Sequence, residues 1–158
     1  MSAAALVITV STRASAGVYE DRSGPIVASA LADLDFEVDG PLVVPDGDEV
    51  GQALRDAVEQ GYAVIVTSGG TGLSPADHTP EQTRAVLDYE VPQLSAAIAR
   101  YGVDHGVPTA LLSRGLAGVA SRSLVVNLPG SSGAARDGMA VLAPVLAHAV
   151  SQLRGGDH

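Results

Sequence analysis

The chain contains no cysteine, so it can form no disulfide, no thiolate nucleophile and no zinc–sulfur site. It also contains no lysine, and all nine basic residues are arginine. Schiff-base chemistry and a P-loop of the Walker type are therefore excluded, because both need a lysine amine. Aromatic residues make up only 3% of the chain, which leaves valine, leucine, isoleucine and alanine to form the core. Such a core is typical of a parallel sheet covered by alanine-rich helices.

Two further absences concern partners and location. Every apolar run falls short of the ~18 residues that span a bilayer, and the N-terminus lacks the basic segment of a signal peptide. The formal net charge of −9 disfavours nucleic acid and anionic membranes as partners. We therefore expect a cytoplasmic protein that binds no nucleic acid and no membrane. A small anionic ligand needs local help from arginines, backbone amides or Mg²⁺.

The apolar segments predict alternating strands and helices. Strands are expected over Ala5–Val10, Phe36–Val44 (interrupted at Gly40-Pro41), Tyr62–Thr67 and Leu124–Leu128. Helices are expected over Ile26–Leu34 and Glu49–Gln60, from Thr79, over Pro92–Arg100 and from about Ala134, with Pro144 kinking or splitting the last. The pattern predicts a doubly wound α/β fold, and the length favours a single domain over residues 1–158.

The most informative segment joins a β-branched strand to a glycine loop. The strand runs into Ser68, and the loop that follows comprises Gly69, Gly70, Thr71 and Gly72. Glycine adopts positive φ and leaves room for a ligand, so successive amides and the two hydroxyls can face a phosphate. Thr79 is placed to cap the next helix, which leaves Asp77 available for Mg²⁺. The alternative is an ordinary tight turn with Asp77 as the cap.

Three further segments carry polar groups at turns. Asp46 follows a predicted strand and either caps the next helix or shares a metal with Asp77. Arg114 follows Ser113 and either grips a phosphate or is a solvated surface arginine. The last strand ends in a turn whose amides and hydroxyls either bind an anion or cap the following helix. That turn consists of Pro129, Gly130, Ser131 and Ser132.

Together these segments resemble the MoaB/Mog family of molybdenum-cofactor biosynthesis domains. The most specific match runs from Ser68 to Asp77, where Gly-Gly-Thr-Gly is followed by four residues and the aspartate, and it continues into Thr79-Pro80-Glu81. Other matches are Thr9-Val10-Ser11, Asp21 to Pro25, Val44-Pro45-Asp46, Ser113-Arg114 and Asn127 to Ser131. The chain departs from the pattern at Thr12, where many members carry aspartate, and at Ser132, where proline is common.

The resemblance implies a three-layer α/β/α fold with a mostly parallel sheet, a homotrimer and a molybdopterin pocket. It implies a molybdopterin adenylyltransferase, which transfers AMP from ATP to the terminal phosphate of molybdopterin with Mg²⁺ and releases pyrophosphate. Asp77 and Asp46 match the catalytic and metal-binding positions. The ligand-binding residues that it implies are Ser11, Ser68, Gly69, Gly70, Thr71, Gly72, Ser113, Arg114, Pro129, Gly130, Ser131 and Ser132.

Other functions share part of this pattern. A binding protein of the same fold would hold molybdopterin or its precursor without adenylating it. A scaffold module would resemble the corresponding domain of gephyrin, but this sequence shows no partner domain or linker. A nucleotide hydrolase would share the glycine loop and leave the segment around Pro129 unexplained. The presence of both Asp46 and Asp77 favours the adenylyltransferase.

Overall fold

The computed structural model of the chain describes residues 2–156 and contains one mixed sheet. Its strands are β1 Ala4–Val10, β2 Glu37–Val44, β3 Val64–Ser68, β4 Tyr89–Glu90, β5 Ala117–Ala120 and β6 Ser123–Leu128. They are ordered β2-β1-β3-β6-β5-β4 across the sheet. Neighbouring strands from β2 to β6 are parallel, and β5 and β4 extend the sheet in antiparallel fashion. The predicted mostly parallel sheet is therefore confirmed.

Helices fill the connections between the strands. They are α1 Thr12–Ser15, α2 Ser23–Asp33, α3 Asp48–Gln60, α4 Thr79–Arg84, α5 Pro92–Asp104, α6 Ser132–Leu142 and α7 Leu146–Leu153, with a 3₁₀ helix over Pro108–Leu112. The break between α6 and α7 confirms the predicted split at Pro144. In the part of the chain that the structure covers, no helix combines the length and apolar character needed to cross a membrane.

Alternate residues of the central strands face two separate apolar cores. On one side, Val7 and Val66 belong to a core that includes residues of α2, α6 and α7. On the other side, Ile8 and Ile65 pack in a core with residues of α3. Since successive side chains of a strand point to opposite faces, this alternation is what places helices on both faces of the sheet. The three-layer α/β/α architecture is thus confirmed.

The edge strand β2 carries the predicted interruption at Gly40-Pro41. Its pairing with β1 shifts register between Leu6 and Ile8, opposite this dipeptide. Gly40 has φ +92°, and a Cβ there would collide with the carbonyl oxygen of Val7. A proline interrupts pairing least at an edge, where one side of the strand has no partner.

The order of the strands creates a crevice above the carboxyl ends of β1 and β3. The connection after β1 leads outward to β2, whereas the connection after β3 leads toward the other half of the sheet. In open α/β sheets, such a reversal leaves a gap between two loops, and ligands bind there. The loops that leave β1, β3 and β6 therefore carry the candidate site.

Candidate functional site

A polar cavity of about 340 Å³ lies above the carboxyl ends of β1 and β3. It is bordered by the exit of β1, the start of α2, the glycine loop and the turn after β6. Seven predicted ligand-binding residues line it, namely Ser11, Ser68, Gly69, Gly70, Gly130, Ser131 and Ser132. The structure thus brings together segments that are more than a hundred residues apart in sequence. We refer to this space as the polar cavity.

Two glycines allow the turns that border the polar cavity to touch. Gly69 has φ +108°, and a Cβ there would collide with the carbonyl oxygen of Val10. A Cβ on Gly130 would lie 3.2 Å from the Cα atom of Gly69. The glycine loop and the turn after β6 therefore meet backbone to backbone, with no room for a side chain between them.

A second cavity of about 270 Å³ opens on the other side of the turn after β6. Four predicted site residues, Gly72, Ser113, Pro129 and Ser131, line it together with mostly apolar side chains of α5, the 3₁₀ helix and α6. Ile98, Ala99, Val107 and Ala134 are among these apolar residues. We call this space the apolar cavity. Because both cavities share Ser131, they can receive two parts of one ligand or two adjacent ligands.

The hydroxyl groups of the predicted serines also have structural partners. Ser11 Oγ accepts from the amide of Ala14 at 3.1 Å, and Ser131 Oγ accepts from the amide of Ala134 at 3.0 Å. Both serines therefore act as N-caps, which the sequence offered as the alternative for Ser131 and did not predict for Ser11. Ser68 Oγ donates to Ser23 Oγ at 2.8 Å. Contact of these serines with a ligand stays a prediction.

Asp46 lies beside the glycine loop and is held by backbone amides. Its Oδ1 accepts from the amides of Gly47 at 2.8 Å and His78 at 3.0 Å. A Cβ on Gly70 would lie 2.5 Å from Asp46 Oδ2, so only glycine fits there. The amide of Asp46 itself donates to Thr12 Oγ1 at 3.3 Å. Thr12, which stands where many family members carry aspartate, therefore contacts the backbone of Asp46.

The charge on Asp46 is influenced by its surroundings. Burial raises the pKa of Asp46 above its ordinary value, and this is the largest effect. The amides of His78 and Gly47 oppose that rise, as does the charge of His78, whereas the negative charge of Asp77 adds to it. The charge of Asp77 is the smallest of these effects on the Asp46 pKa.

Asp77 follows the glycine loop in sequence, on the side of the loop away from β3. Its Oδ2 accepts from the amide of Ser74 at 3.2 Å. A Cβ on Gly72 would lie 2.8 Å from that oxygen. The third glycine of the loop is thus packed against the carboxylate. Asp77 is half-buried at the rim of the site.

The prediction that Thr79 caps α4 is wrong. The N-cap position is occupied by His78, and no side chain caps this helix end. Thr79 is buried, and its hydroxyl donates to the carbonyl oxygen of Gly69 at 3.0 Å while its amide donates to that of Gly70 at 3.1 Å. The reason is that the Thr79 hydroxyl donates to the carbonyl oxygen of Gly69 in the folded loop and does not accept from the amides of the first helical turn.

Arg114 is engaged with the glycine loop. Its Nε donates to the carbonyl oxygen of Gly72 at 2.9 Å, and its Nη2 donates to that of Asp77 at 3.0 Å. Nη1 donates to Glu81 Oε2 at 2.7 Å, and the amide of Arg114 donates to the carbonyl oxygen of Thr71 at 2.8 Å. The hydrogen bond from the Arg114 guanidinium holds the pKa of the Glu81 carboxyl below its ordinary value. Direct contact of Arg114 with a substrate stays a prediction.

A buried network around Asn127 supports the site from below. Asn127 Nδ2 donates to Thr67 Oγ1 at 2.9 Å and to Thr83 Oγ1 at 3.0 Å. Its Oδ1 accepts from the amide of Leu116 at 3.0 Å. The residue therefore connects β6 to β3, to α4 and to the segment before β5. Asn127 matches the family pattern, but the sequence does not predict this role; the available signal is a lone amide in an apolar strand.

A divalent cation fits this donor set only together with a ligand. Across residues 2–156, no cluster of three or more His, Cys, Asp or Glu side chains is arranged to hold a metal ion. Asp46 and Asp77 do supply two carboxylates, each packed against a glycine of the glycine loop. Mg²⁺ is commonly held by one or two carboxylates plus phosphate oxygens and water. The residues present therefore suit Mg²⁺ that arrives with a phosphate.

Comparison with known proteins agrees with this arrangement. The family described as a probable molybdopterin binding domain matches residues 6–148. A solved structure of MogA has a TM-score of 0.92 and 56% identity, covering 95% of this chain and 99% of that chain. The molybdopterin adenylyltransferase of Haemophilus influenzae is 38% identical over 136 residues, which are 83% of this chain and 68% of that protein.

A longer relative matches over nearly the whole chain. The molybdenum cofactor biosynthesis bifunctional protein of Synechococcus elongatus is 40% identical over 155 residues, which are 98% of this chain and 48% of that protein. The chain thus spans about half the length of this curated relative.

Proposed function

Because the chain belongs to the MoaB/Mog family of molybdenum cofactor biosynthesis proteins, we propose that it is a molybdopterin adenylyltransferase. It transfers AMP from ATP to the terminal phosphate of molybdopterin and releases pyrophosphate. One observation carries the proposal: the glycine loop has Asp46 packed beside Gly70 and Asp77 packed beside Gly72. A protein that only binds the pterin has no need for two carboxylates packed against this loop, because carboxylates repel a phosphate.

The two cavities suit different chemical groups of the substrates. The polar cavity offers backbone amides and serine side chains at the glycine loop and the turn after β6, which suit phosphate groups. The apolar cavity, with Ile98 and Val107 among its walls, suits a flat heteroaromatic ring. Both substrates carry a ring and a phosphate, so the shared Ser131 would lie where the phosphates of the two substrates approach each other.

The transfer is an in-line displacement at phosphorus. An oxygen of the pterin phosphate attacks the α-phosphorus of ATP, a new P–O bond forms, and the bond to the β-phosphate oxygen breaks. The pyrophosphate takes the electron pair. Since a phosphate nucleophile is already ionised at neutral pH, no general base is needed, and rate enhancement comes from positioning and charge stabilisation. Mg²⁺, held by Asp46 and Asp77 together with phosphate oxygens, supplies that charge stabilisation when bound.

We further propose that the chain is a cytoplasmic homotrimer in which residues 1–158 form one domain. The family resemblance supports the trimer, and a substrate such as ATP suits the cytoplasm. A single sheet that includes strands from Ala4 to Leu128 supports the domain assignment. Residues 1, 157 and 158 of this domain lie outside the described residues.

The function is tested by incubating the protein with molybdopterin, ATP and Mg²⁺ and measuring adenylylated pterin and pyrophosphate. We expect both products from the wild type. Asp77→Asn should lower turnover at least about a hundredfold, in line with the loss of one charge-stabilising group, and leave pterin affinity unchanged. Asp104→Asn is the matched control, because Asp104 pairs with Arg100 on the surface of α5.

Two outcomes would overturn the proposal. Pterin binding by the wild type without AMP transfer would instead identify a binding protein. Full turnover in Asp77→Asn would remove that carboxylate from the mechanism.

A further inference from the structure

One arginine side chain closes the loop that carries Asp77. We call residues 72–77 the aspartate loop. The guanidinium of Arg114 donates to the carbonyl oxygens of Gly72 and Asp77, the two ends of this loop, at 2.9 and 3.0 Å. A planar guanidinium presents its N–H groups in a fixed fork, so it sets the separation of the two carbonyls it joins.

The closing arginine is itself anchored. Both terminal nitrogens of Arg114 donate to the carboxylate of Glu81, at 2.7 and 3.3 Å. Its amide donates to the carbonyl oxygen of Thr71 at 2.8 Å, and Ser113 Oγ donates to Thr71 Oγ1 at 3.1 Å. The guanidinium therefore contacts the loop and α4, and Arg114, like Asp46 and Asp77, lines neither cavity.

The position of the Asp77 carboxylate depends on this closure. Within the aspartate loop, the amide of Asp77 donates to the carbonyl oxygen of Ser74 at 2.9 Å, and the amide of Ser74 donates to Asp77 Oδ2 at 3.2 Å. Gly72, at the other end of the loop, is packed against the same carboxylate, because a Cβ on Gly72 would lie 2.8 Å from Asp77 Oδ2. Opening the loop would separate Gly72 from Asp77 and remove that packing.

We propose that Arg114 is a positioning residue, which closes the aspartate loop and so holds the Asp77 carboxylate at the rim, with Glu81 as its anchor. Arg114 then acts through Asp77, in place of the direct substrate contact that the sequence predicts for it. This inference rests on the proposed function, in which Asp77 helps to hold Mg²⁺, and it deepens it by assigning the residues that set its geometry.

The test compares two variants with a matched pair of controls. Arg114→Lys keeps the charge but cannot reach both carbonyls and the carboxylate, and Glu81→Ala removes the anchor. The controls are Arg84→Lys and Glu90→Ala. Arg84 lies on α4, the helix that carries Glu81, and pairs with Glu90 on the surface at 3.8 Å without contacting the loop.

We expect Arg114→Lys and Glu81→Ala each to lower kcat by about ten- to a hundredfold, the penalty of a misplaced group, with KM for ATP unchanged. The double variant should lose no more than the larger single loss, since both residues act through one contact. The controls should retain wild-type kcat.

Hydrogen exchange provides a readout without turnover. The amides of Ser74 and Asp77 should exchange faster in Arg114→Lys and Glu81→Ala than in the wild type, and at the wild-type rate in both controls. If the wild type transfers no AMP, the proposed function fails, and these exchange rates alone decide whether Arg114 holds the loop.

Either of two results would overturn the inference. One is unchanged exchange at Ser74 and Asp77 in both variants. The other is a raised KM for ATP in Arg114→Lys while Glu81→Ala keeps wild-type kcat, because a guanidinium that binds substrate directly has no need of its anchor.

Discussion

The carboxylate of Asp46 is half-buried, accepts hydrogen bonds from two backbone amides and is affected by the charge of Asp77. Burial raises its pKa above 3.8, the value of an ordinary aspartate. Because the pKa is higher in the folded state, the protonated form is favoured by folding. Its contribution to stability is complete below the unfolded-state pKa and is lost as the pH rises through the folded-state pKa. At neutral pH the ionised carboxylate of Asp46 therefore lowers the free energy of unfolding.

We predict that Asp46→Asn separates these two effects. The amide oxygen can still accept from Gly47 and His78, while the buried charge is gone. The free energy of unfolding at pH 7 should be equal to that of the wild type or higher, and AMP transfer should fall at least about a hundredfold. Urea denaturation at several pH values and the turnover assay measure the two quantities.

The pH series contains its own control. The stability difference between Asp46→Asn and the wild type should shrink as the pH falls below the raised pKa, since both side chains are then neutral. A variant that is markedly less stable than the wild type at pH 7 would show that the Asp46 charge stabilises the fold.

At the residue scale, local rules located the two aspartates but not the partners of the polar side chains. Asp46 and Asp77 could be placed because each follows a strand, and the carboxyl ends of parallel strands share one edge. The closure by Arg114 joins residues 33 to 43 positions away, and Asn127 bonds to Thr67, 60 positions away. Such contacts depend on how strands are ordered in the sheet, which a pattern of apolar residues does not encode.

Helix α6 packs closely on β6 because it has a glycine, Gly138, where it faces Leu128. A Cβ on Gly138 would lie 2.5 to 3.2 Å from three side-chain carbons of Leu128, which is fully buried. Near the start of the same helix, Gly133 has no atom within 4 Å of an added Cβ. The two glycines thus offer the same substitution in crowded and open surroundings.

We predict opposite effects for alanine at these positions. Gly138→Ala should lower the free energy of unfolding by about 1 kcal/mol, because overpacking at Leu128 outweighs the gain in helix propensity. Gly133→Ala should raise it by up to about 0.5 kcal/mol, since only the propensity gain remains. Urea denaturation of the two variants and the wild type measures both. Equal stabilisation by both variants would mean that α6 moves away from β6 without cost.

At the scale of elements, length decided what could be predicted. The longer strands and helices were all anticipated, and Pro144 does separate α6 from α7. The four-residue helix α1 and the two-residue strand β4 were not, because elements so short show no periodicity. The sequence does not predict strand β5, because Ala117–Ala120 is short and consists mostly of small residues. Its antiparallel pairing with β6 ends the parallel part of the sheet.

The whole molecule exposes several large apolar side chains near the 3₁₀ helix and the glycine loop. Leu111 is 68% exposed and Leu73 is 65% exposed, and Leu112 and Val107 are also exposed. Apolar groups of this size on a surface often lie in contacts between proteins. They are candidates for the subunit contacts of the proposed trimer.

We predict a particle with three times the chain mass of 15.9 kDa. Sedimentation equilibrium over a range of protein concentrations measures it. Leu111→Glu should shift the mass toward that of one chain if Leu111 lies in the subunit contact, because a buried unpaired carboxylate is costly. Val18→Glu is the matched control, since Val18 is 77% exposed and lies elsewhere in the sequence. A wild-type mass of one chain at all concentrations would refute the trimer.

The sheet has a consequence for the growing polypeptide at the ribosome. The strand made last, β6, lies in the interior of the sheet between β3 and β5. Until it emerges, the fully buried residues of β3 have an unsatisfied edge, and such an edge is prone to pair with other chains. This edge therefore stays uncovered until residues 123–128 have been synthesised, and a product truncated before Ser123 would be an aggregation hazard.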